Sequence, residues 1–206
     1  MSSRPANNAP LGGPWATVLF AAGCAVVSPV FSELSSIIEY DRSRVVSGEL
    51  WRLWTSSFTH FSGSHLFWNL VLLVGIGGWL ERRRPWSVRG LYLLAPLAIG
   101  AVLRFSASSP EVYRGFSGVA SGFVALAACH VFRSGSRALG LAIGFLLGLK
   151  ITIELWLQPA AMLVDYHNAT VVTWPTAHLI GAGCGVLMDQ CRAAFARELS
   201  GRLPRL

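Results

Sequence analysis

Six long apolar stretches constrain this chain more than any other feature of its sequence. They lie at about 15–31, 65–80, 88–105, 116–132, 138–157 and 175–195. Each approaches the roughly 20 residues that an α-helix needs to cross the hydrocarbon core of a bilayer. Hydrophobic residues make up 53% of the 206 residues and charged residues 13%, a composition too apolar for a soluble domain of this size. The sequence therefore predicts an all-α integral membrane protein.

The apolar stretches leave room for short connections and for one long connection, residues 32–64. We predict a single membrane domain over residues 1–206, a bundle of six transmembrane helices with a long membrane-associated loop between the first and second helices. Residues 1–14 form a polar amino-terminal segment, and residues 196–206 form a basic tail. A cleaved signal peptide is the alternative for the first stretch. A retained helix gives an even number of spans, which agrees with the charge distribution.

The basic residues are distributed unevenly along the chain, and this predicts its orientation. The formal net charge is +7, and arginines follow the second, fourth and sixth stretches, at Arg82, Arg83, Arg84, Arg89, Arg133, Arg137, Arg192, Arg197, Arg202 and Arg205. Cytoplasmic loops of membrane proteins carry the excess of Lys and Arg, so we expect both termini in the cytoplasm. No basic run is interleaved with aromatic residues. We therefore expect membrane lipid around the chain and no nucleic-acid partner.

Four polar residues are predicted to lie at one depth, near the external surface. His65 and Asn69 are four residues apart and share one face of the second helix, whereas Ser117 and His178 lie in the first turns of the fourth and sixth helices. Polar side chains at such depths usually face the bundle interior or a water-filled cavity. A local or interhelical hydrogen bond explains each residue taken alone. Their common depth instead predicts a shared site.

A serine and a histidine at one depth indicate the chemistry of a serine hydrolase. Ser117 is the predicted nucleophile, and His178 is the base that takes its proton and returns it to the leaving amine. The helix amino terminus at Ser117 leaves NH groups for an oxyanion, and His65 and Asn69 are predicted to supply further donors. We find no acidic residue placed to orient His178, since Asp189 lies eleven positions further toward the cytoplasm. A Ser–His dyad is therefore predicted.

Small residues surround the predicted nucleophile and recur at intervals of four. Gly115 and Gly118 lie on either side of Ser117. The small-residue ridges of the fourth and sixth helices are formed by Gly118, Gly122, Ala177, Gly181 and Gly185. Such ridges let two helices pack closely in a membrane. We therefore expect these two helices to touch, as a hydrogen bond between Ser117 and His178 requires.

Other intramembrane chemistries fit the sequence less well. None of the five histidines lies in the His-Glu-x-x-His pattern of zinc proteases, and neither Asp165 nor Asp189 is placed for an aspartyl protease. We expect no metal and no cofactor. Lys150 and Glu154 are four residues apart on the fifth helix and are interpreted as a structural ion pair, or alternatively as a charged handle for a substrate or a gate. A transporter or channel would require a repeat between the two halves, and we see no convincing one.

The motifs together resemble the rhomboid family of intramembrane serine proteases. They are, in chain order, Trp51-Arg52-x-x-Thr55-x-x-Phe58-x-His60, His65-x-x-x-Asn69, Gly115-x-Ser117-Gly118 and Ala177-His178-Leu179-x-Gly181-x-x-x-Gly185. The resemblance implies that Ser117 is the nucleophile and His178 the base. It implies that His65, Asn69 and the amide of Ser117 bind the oxyanion. It also implies that residues 32–64 are partly embedded in the membrane and that a transmembrane protein substrate enters laterally between helices.

Within this family the chain is most similar to the rhombosortases. The similarity lies in the segment from Gly148-Leu149-Lys150 to Glu154, which precedes Ala177-His178-Leu179. It implies a protein of the bacterial inner membrane, with its site near the external face, that processes proteins ending in a Gly-Gly motif, an apolar helix and a basic tail. Ser121 departs from the pattern, because rhomboids often carry Tyr and rhombosortases often His at that position. The alternatives are a general rhomboid protease and a rhomboid-fold protein that binds membrane helices without cutting them.

Overall fold

The computed structural model describes residues 12–30, 32–157 and 174–202. In these ranges the chain forms helices and one small two-stranded sheet. The helices are α1 (Trp15–Val30), α2 (Ser32–Ile38), α3 (Arg42–Val46), α4 (Arg52–Thr55), α5 (Gly63–Leu72), α6 (Gly78–Glu81), α7 (Pro85–Phe105), α8 (Ser117–Arg133), α9 (Arg137–Leu157) and α10 (Pro175–Arg202). The strands are β1 (Tyr40–Asp41) and β2 (Val112–Tyr113). A 3₁₀ turn follows α4 at Ser56–Phe58, and a π-helical turn joins α5 to α6 at Leu73–Gly77.

All six predicted apolar stretches are helical where the structure describes them. Three helical segments of the described ranges are long and apolar enough to cross a membrane, namely Gly63–Glu81, Pro85–Phe105 and Arg137–Trp156. Two apolar helices, Trp15–Val27 and Ser117–Arg133, are shorter than a standard span. α10 is 28 residues long and carries charged residues in its second half. The helical architecture therefore agrees with the prediction, whereas the count of six membrane crossings stays a prediction.

The long connection after α1 contains short helices and a strand, where the sequence analysis expected a loop. Arg52 organises this connection, because its side chain is 1% exposed and its Nη1 donates to the carbonyls of Ser36 at 2.9 Å and Glu39 at 2.8 Å. Its Nε pairs with the carboxylate of Glu49 at 2.6 Å. One buried guanidinium thus satisfies backbone carbonyls that would otherwise need water. The insertion of this connection into the membrane stays a prediction.

The connection is tied to the segment that immediately precedes α8. Strands β1 and β2 pair in antiparallel fashion. Beside them, Arg114 forms an ion pair with Glu39, and the amide of Gly115 donates to the carbonyl of Ser56 at 3.2 Å. The short helices after α1 therefore support the start of α8 directly.

α8 and α10 approach each other at the level of their backbones. A methyl group added at Gly181 would overlap the carbonyl oxygen of Gly118, and one at Gly185 would overlap that of Gly122. A methyl group at Gly122 would lie 2.6 Å from the carbonyl oxygen of Gly181. The structure thus places four of the small residues at one helix contact, where any side chain would push the helices apart.

A cluster of aromatic rings lies beneath the start of α8. The ring of Phe20 is 4.8 Å from that of Tyr92, which is 4.9 Å from that of Phe123. Phe116 is fully buried, 5.1 Å from Phe20, and it immediately precedes α8. Buried aromatic rings contribute large apolar area to a core. This cluster therefore fixes the position at which α8 begins.

Buried carboxylates hold the helices together at the opposite end of the bundle. Asp189 on α10 is 1% exposed, and it lies 2.6 Å from Arg133 on α8 and 3.6 Å from Arg84. Glu81 is fully buried and accepts hydrogen bonds from two amides in the first turn of α1, at 3.2 and 2.8 Å. A carboxylate at a helix amino terminus satisfies amides that have no partner within the helix. These contacts fix α1 and α10 against their neighbours.

Candidate active site

Ser117 is the first residue of α8, and it lies two residues after a glycine whose backbone has a positive φ. Gly115 has a φ of +122°, which side chains rarely adopt. A methyl group there would also lie 2.6 Å from Cε1 of His65. The amides of the first turn of α8 have no partner within the helix. The turn at Gly115 therefore starts α8 and brings the ring of His65 against the segment that leads to Ser117.

His178 lies in the first turn of α10 and contacts Ser117. α10 begins at Pro175, whose fixed φ suits the first position of a helix. Nε2 of His178 lies 3.0 Å from Oγ of Ser117, and His178 is 5% exposed. The two helices are also in close contact beside this pair, since a methyl group at Gly118 would lie 3.0 Å from the carbonyl oxygen of Ala177. The close packing of α8 and α10 thus brings the serine and the histidine within hydrogen-bond distance.

The second ring nitrogen of His178 faces a carboxylate. Nδ1 lies 2.6 Å from Oε2 of Glu154 on α9. Nζ of Lys150 lies 2.7 Å from Oε1 of the same carboxylate and 3.1 Å from Nδ1 of His178. Lys150 and Glu154 do form the ion pair that the sequence suggested, but they form it against the imidazole.

The prediction that no acidic residue is placed to orient His178 is therefore wrong. Glu154 lies in the last turn of α9, which ends at the level where α10 begins. The prediction of a shared depth rested on serine, asparagine and histidine residues only. The same comparison of depth, applied to the charged residues of the fifth apolar stretch, places Glu154 near the level of His178.

His65 and Asn69 lie one turn apart on α5, and both are buried, at 3% and 5% exposure. Ser62 caps the helix and accepts a hydrogen bond from the amide of His65 at 3.2 Å. Within the described part of the chain, Nδ2 of Asn69 is buried and has no hydrogen-bond partner. A buried donor left without an acceptor costs about 1–3 kcal/mol. The side-chain NH₂ group of Asn69 is thus available to donate to an oxygen atom of a bound molecule.

Ser121 lies one turn after Ser117 on α8. Its hydroxyl donates to the carbonyl of Ser117 at 3.1 Å, a bond within the helix. The position at which rhomboids often carry Tyr and rhombosortases often His thus holds a small side chain bonded to its own backbone. The imidazole of His178 contacts Glu154 and Lys150 through Nδ1.

The arrangement provides the parts of nucleophilic catalysis. An imidazole that accepts a hydrogen bond from a hydroxyl can activate it as a nucleophile, and the free amides of the first turn of α8 can stabilise negative charge on an oxygen. In residues 12–30, 32–157 and 174–202, no three His, Cys, Asp or Glu side chains are grouped as metal ligands.

The fold and this site define a helical integral membrane protein with a serine, a histidine and a carboxylate in contact. The family model for the Rhomboid domain matches residues 47–194. The chain therefore belongs to the rhomboid family, whose members are generally serine intramembrane proteases that act on transmembrane protein substrates. A comparison with curated proteins finds no match.

Proposed function

We propose that this chain is an intramembrane serine endopeptidase in which Ser117 and His178 form the catalytic dyad. The main support is the 3.0 Å distance from Oγ of Ser117 to Nε2 of His178, in a chain of the rhomboid family. His178 takes the hydroxyl proton as Oγ attacks the scissile carbonyl, and it then gives that proton to the leaving amine. Water hydrolyses the resulting ester and regenerates Ser117.

The proposed oxyanion site consists of the amide of Ser117 and the side chains of His65 and Asn69. Nδ2 of Asn69, which has no hydrogen-bond partner among the described residues, and the contact of His65 with the Gly115 turn support it. Removing one oxyanion donor typically lowers kcat by about 10²–10³-fold.

The proposed substrate is a single-span membrane protein, and the proposed subfamily is the rhombosortases. The subfamily assignment rests on the similarity of the segment from Gly148 to Glu154. A rhombosortase would process proteins that end in a Gly-Gly motif, an apolar helix and a basic tail. A general rhomboid protease with other substrates is the alternative.

We propose the bacterial inner membrane as the location, with both termini in the cytoplasm and the site near the external face. The distribution of charge supports this orientation. Arg84 and Arg133 lie at the end of the bundle opposite to Ser117, since α8 begins at Ser117 and ends at Arg133.

Cleavage of a co-expressed substrate tests the proposal. The substrate is a single-span reporter with a Gly-Gly motif, an apolar helix and a basic tail, and its fragments are followed on immunoblots. We expect cleavage by the wild-type protein and none by Ser117→Ala or His178→Ala at equal expression. Ser121→Ala, which removes a hydroxyl one turn away on α8, is the matched control and should cleave at a rate close to wild type.

Three results would contradict the proposal or favour an alternative. Cleavage by Ser117→Ala or His178→Ala would contradict the dyad. Equal cleavage of a reporter whose Gly-Gly motif is replaced by Leu-Leu would favour a general rhomboid over a rhombosortase. Binding of the reporter without cleavage by the wild-type protein would indicate a rhomboid-fold binding protein.

A further inference from the structure

Two groups of opposite charge compete for Nδ1 of His178. Oε2 of Glu154 lies 2.6 Å from it, and Nζ of Lys150 lies 3.1 Å from it. A carboxylate only accepts hydrogen bonds, whereas an ammonium group only donates them. The two neighbours therefore favour different tautomers of the imidazole.

The tautomer decides whether His178 can act as a base toward Ser117. With Glu154 as the partner, the proton is on Nδ1, and Nε2 has a free lone pair that accepts from Oγ of Ser117. With Lys150 as the partner, Nδ1 accepts, the proton is on Nε2, and Nε2 is unable to take a proton from serine. The contact with Glu154 is shorter by half an ångström, and Lys150 lies 2.7 Å from the other carboxylate oxygen.

We infer that Glu154 is a positioning residue that holds His178 in the tautomer with its proton on Nδ1, and that Lys150 is the counter-ion of Glu154. This inference rests on the proposed function of Ser117 and His178. When His178 takes the serine proton, the carboxylate of Glu154 also stabilises the imidazolium that forms, as the aspartate does in serine protease triads. Ser117 on α8, Glu154 on α9 and His178 on α10 then act together, each on a different helix.

The position of Glu154 argues against a purely structural ion pair. Only 17% of the apolar window of α9 is buried inside the protein, so most of this helix faces away from the other helices. The Glu154 side chain is 11% exposed and is directed inward to the imidazole, whereas Lys150 remains 36% exposed. Burying a carboxylate in a membrane protein is costly unless it is paired. Both oxygens of Glu154 have partners, and one of those partners is the proposed base.

The rate at which a fluorophosphonate probe labels Ser117 tests the inference on the purified full chain in detergent. The variants are Glu154→Ala, Glu154→Gln and the double variant Glu154→Ala/Lys150→Met. Asp189→Asn is the matched control. It removes a different buried carboxylate, on α10, that lies roughly 16 Å along the helix from His178. Each protein is also unfolded by heat to measure its Tm. Ser117→Ala is the blank.

We expect Glu154→Ala to lower kinact on the order of 100-fold or more while KI stays unchanged, because Glu154 acts through the imidazole and does not touch the probe. Adding Lys150→Met should recover about tenfold of the lost rate, because the ammonium group that favours the unreactive tautomer is then gone. Glu154→Gln, which keeps the size of the side chain, should also be slower than wild type. Asp189→Asn should lower the Tm and leave kinact unchanged.

Several outcomes would overturn the inference. One is a kinact close to wild type in folded Glu154→Ala or Glu154→Gln. Another is a loss of labelling in Glu154→Ala that affects KI as strongly as kinact. A third is a loss of kinact that the added Lys150→Met does not relieve. A purely structural ion pair predicts both of these results. If the wild-type protein itself is not labelled at Ser117, the proposed function fails, and the inference fails with it.

Discussion

Among the buried polar side chains of the site, Asn69 and His178 differ in what their nitrogens contact. Both ring nitrogens of His178 have partners, namely Ser117 on one side and Glu154 on the other. Nδ2 of Asn69 has none within the described residues. A paired group is positioned by its neighbours, whereas an unpaired buried donor can gain free energy only when a ligand arrives. This difference assigns His178 to proton transfer and Asn69 to binding of an oxygen atom in the proposed reaction.

The variant Asn69→Leu tests this assignment, because leucine has a similar size and no donor. We expect the rate of reporter cleavage to fall by about 10²–10³-fold, the typical effect of losing one oxyanion donor. The free energy of unfolding should change by no more than about 1 kcal/mol, because Nδ2 makes no hydrogen bond to the part of the chain that the structure describes.

Trp68→Leu is the control for this experiment, since Trp68 is the preceding residue of α5 and is 52% exposed. It should cleave the reporter at a rate close to wild type. A normal rate in Asn69→Leu would remove Asn69 from the proposed oxyanion site.

At the scale of the helices, the site depends on how closely α8 and α10 approach. Ser117 and His178 each lie in a first turn, so a small separation of the two helix axes moves both side chains directly. Gly181 and Gly118 meet with no side chain between them. Because helix interfaces are close packed, an added methyl group there forces the backbones apart.

The pair Gly181→Ala and Gly183→Ala measures this effect on one helix. A methyl group at Gly181 overlaps the carbonyl oxygen of Gly118, whereas a methyl group at Gly183 meets nothing within 4 Å. We expect Gly181→Ala to lower the free energy of unfolding by about 1–3 kcal/mol and to reduce cleavage strongly. Gly183→Ala should be neutral or slightly stabilising, because alanine favours the helix over glycine.

The measurements are thermal unfolding in detergent and cleavage of the co-expressed reporter. Equal behaviour of the two variants would show that the backbone contact between α8 and α10 does not position the site.

The sequence predicted the elements well where apolar length or small-residue spacing determines them. Each of the six apolar stretches forms a helix within its described residues, and the small-residue spacing that includes Gly118 and Gly181 predicted helices that lie close together. The sequence did not predict the short helices after α1, because they depend on hydrogen bonds from Arg52 to backbone carbonyls 16 and 13 residues earlier in the chain. Arg52 belongs to the motif Trp51-Arg52-x-x-Thr55, but the motif does not show which backbone carbonyls its guanidinium binds.

The candidate site was predicted less completely than the fold. Ser117 and His178 share a depth that the topology reveals, and the structure brings them within hydrogen-bond distance. The contact of Glu154 with His178 depends on the rotation of α9 against α10. Apolar residues surround Glu154 on its helix, and the pattern of a largely exposed membrane helix does not fix that rotation.

For the whole molecule, the arginines that bind Asp189 and the candidate site lie at opposite ends of the bundle. The buried pair of Asp189 with Arg133 lies at one end, and the contact of Ser117 with His178 lies at the other. The positive-inside rule then predicts that the site faces the external side.

Labelling of single cysteines tests this orientation in intact cells. Ser108, between α7 and α8, and Ser136, between α8 and α9, are both exposed and lie toward opposite ends. Each is replaced by cysteine in a chain whose four native cysteines are changed to alanine. A membrane-impermeant maleimide should label Ser108→Cys in intact cells and Ser136→Cys only after permeabilisation. The opposite pattern would place the site toward the cytoplasm.

Covalent labelling tests whether Ser117 is a nucleophile activated by His178. The purified full chain is treated with a fluorophosphonate probe, digested, and analysed by mass spectrometry to locate the adduct. We expect one adduct, on Ser117, in the wild-type protein, and none in folded His178→Ala or Ser117→Ala. A folded wild-type protein without an adduct on Ser117, or a His178→Ala variant labelled at the wild-type rate, would contradict this expectation.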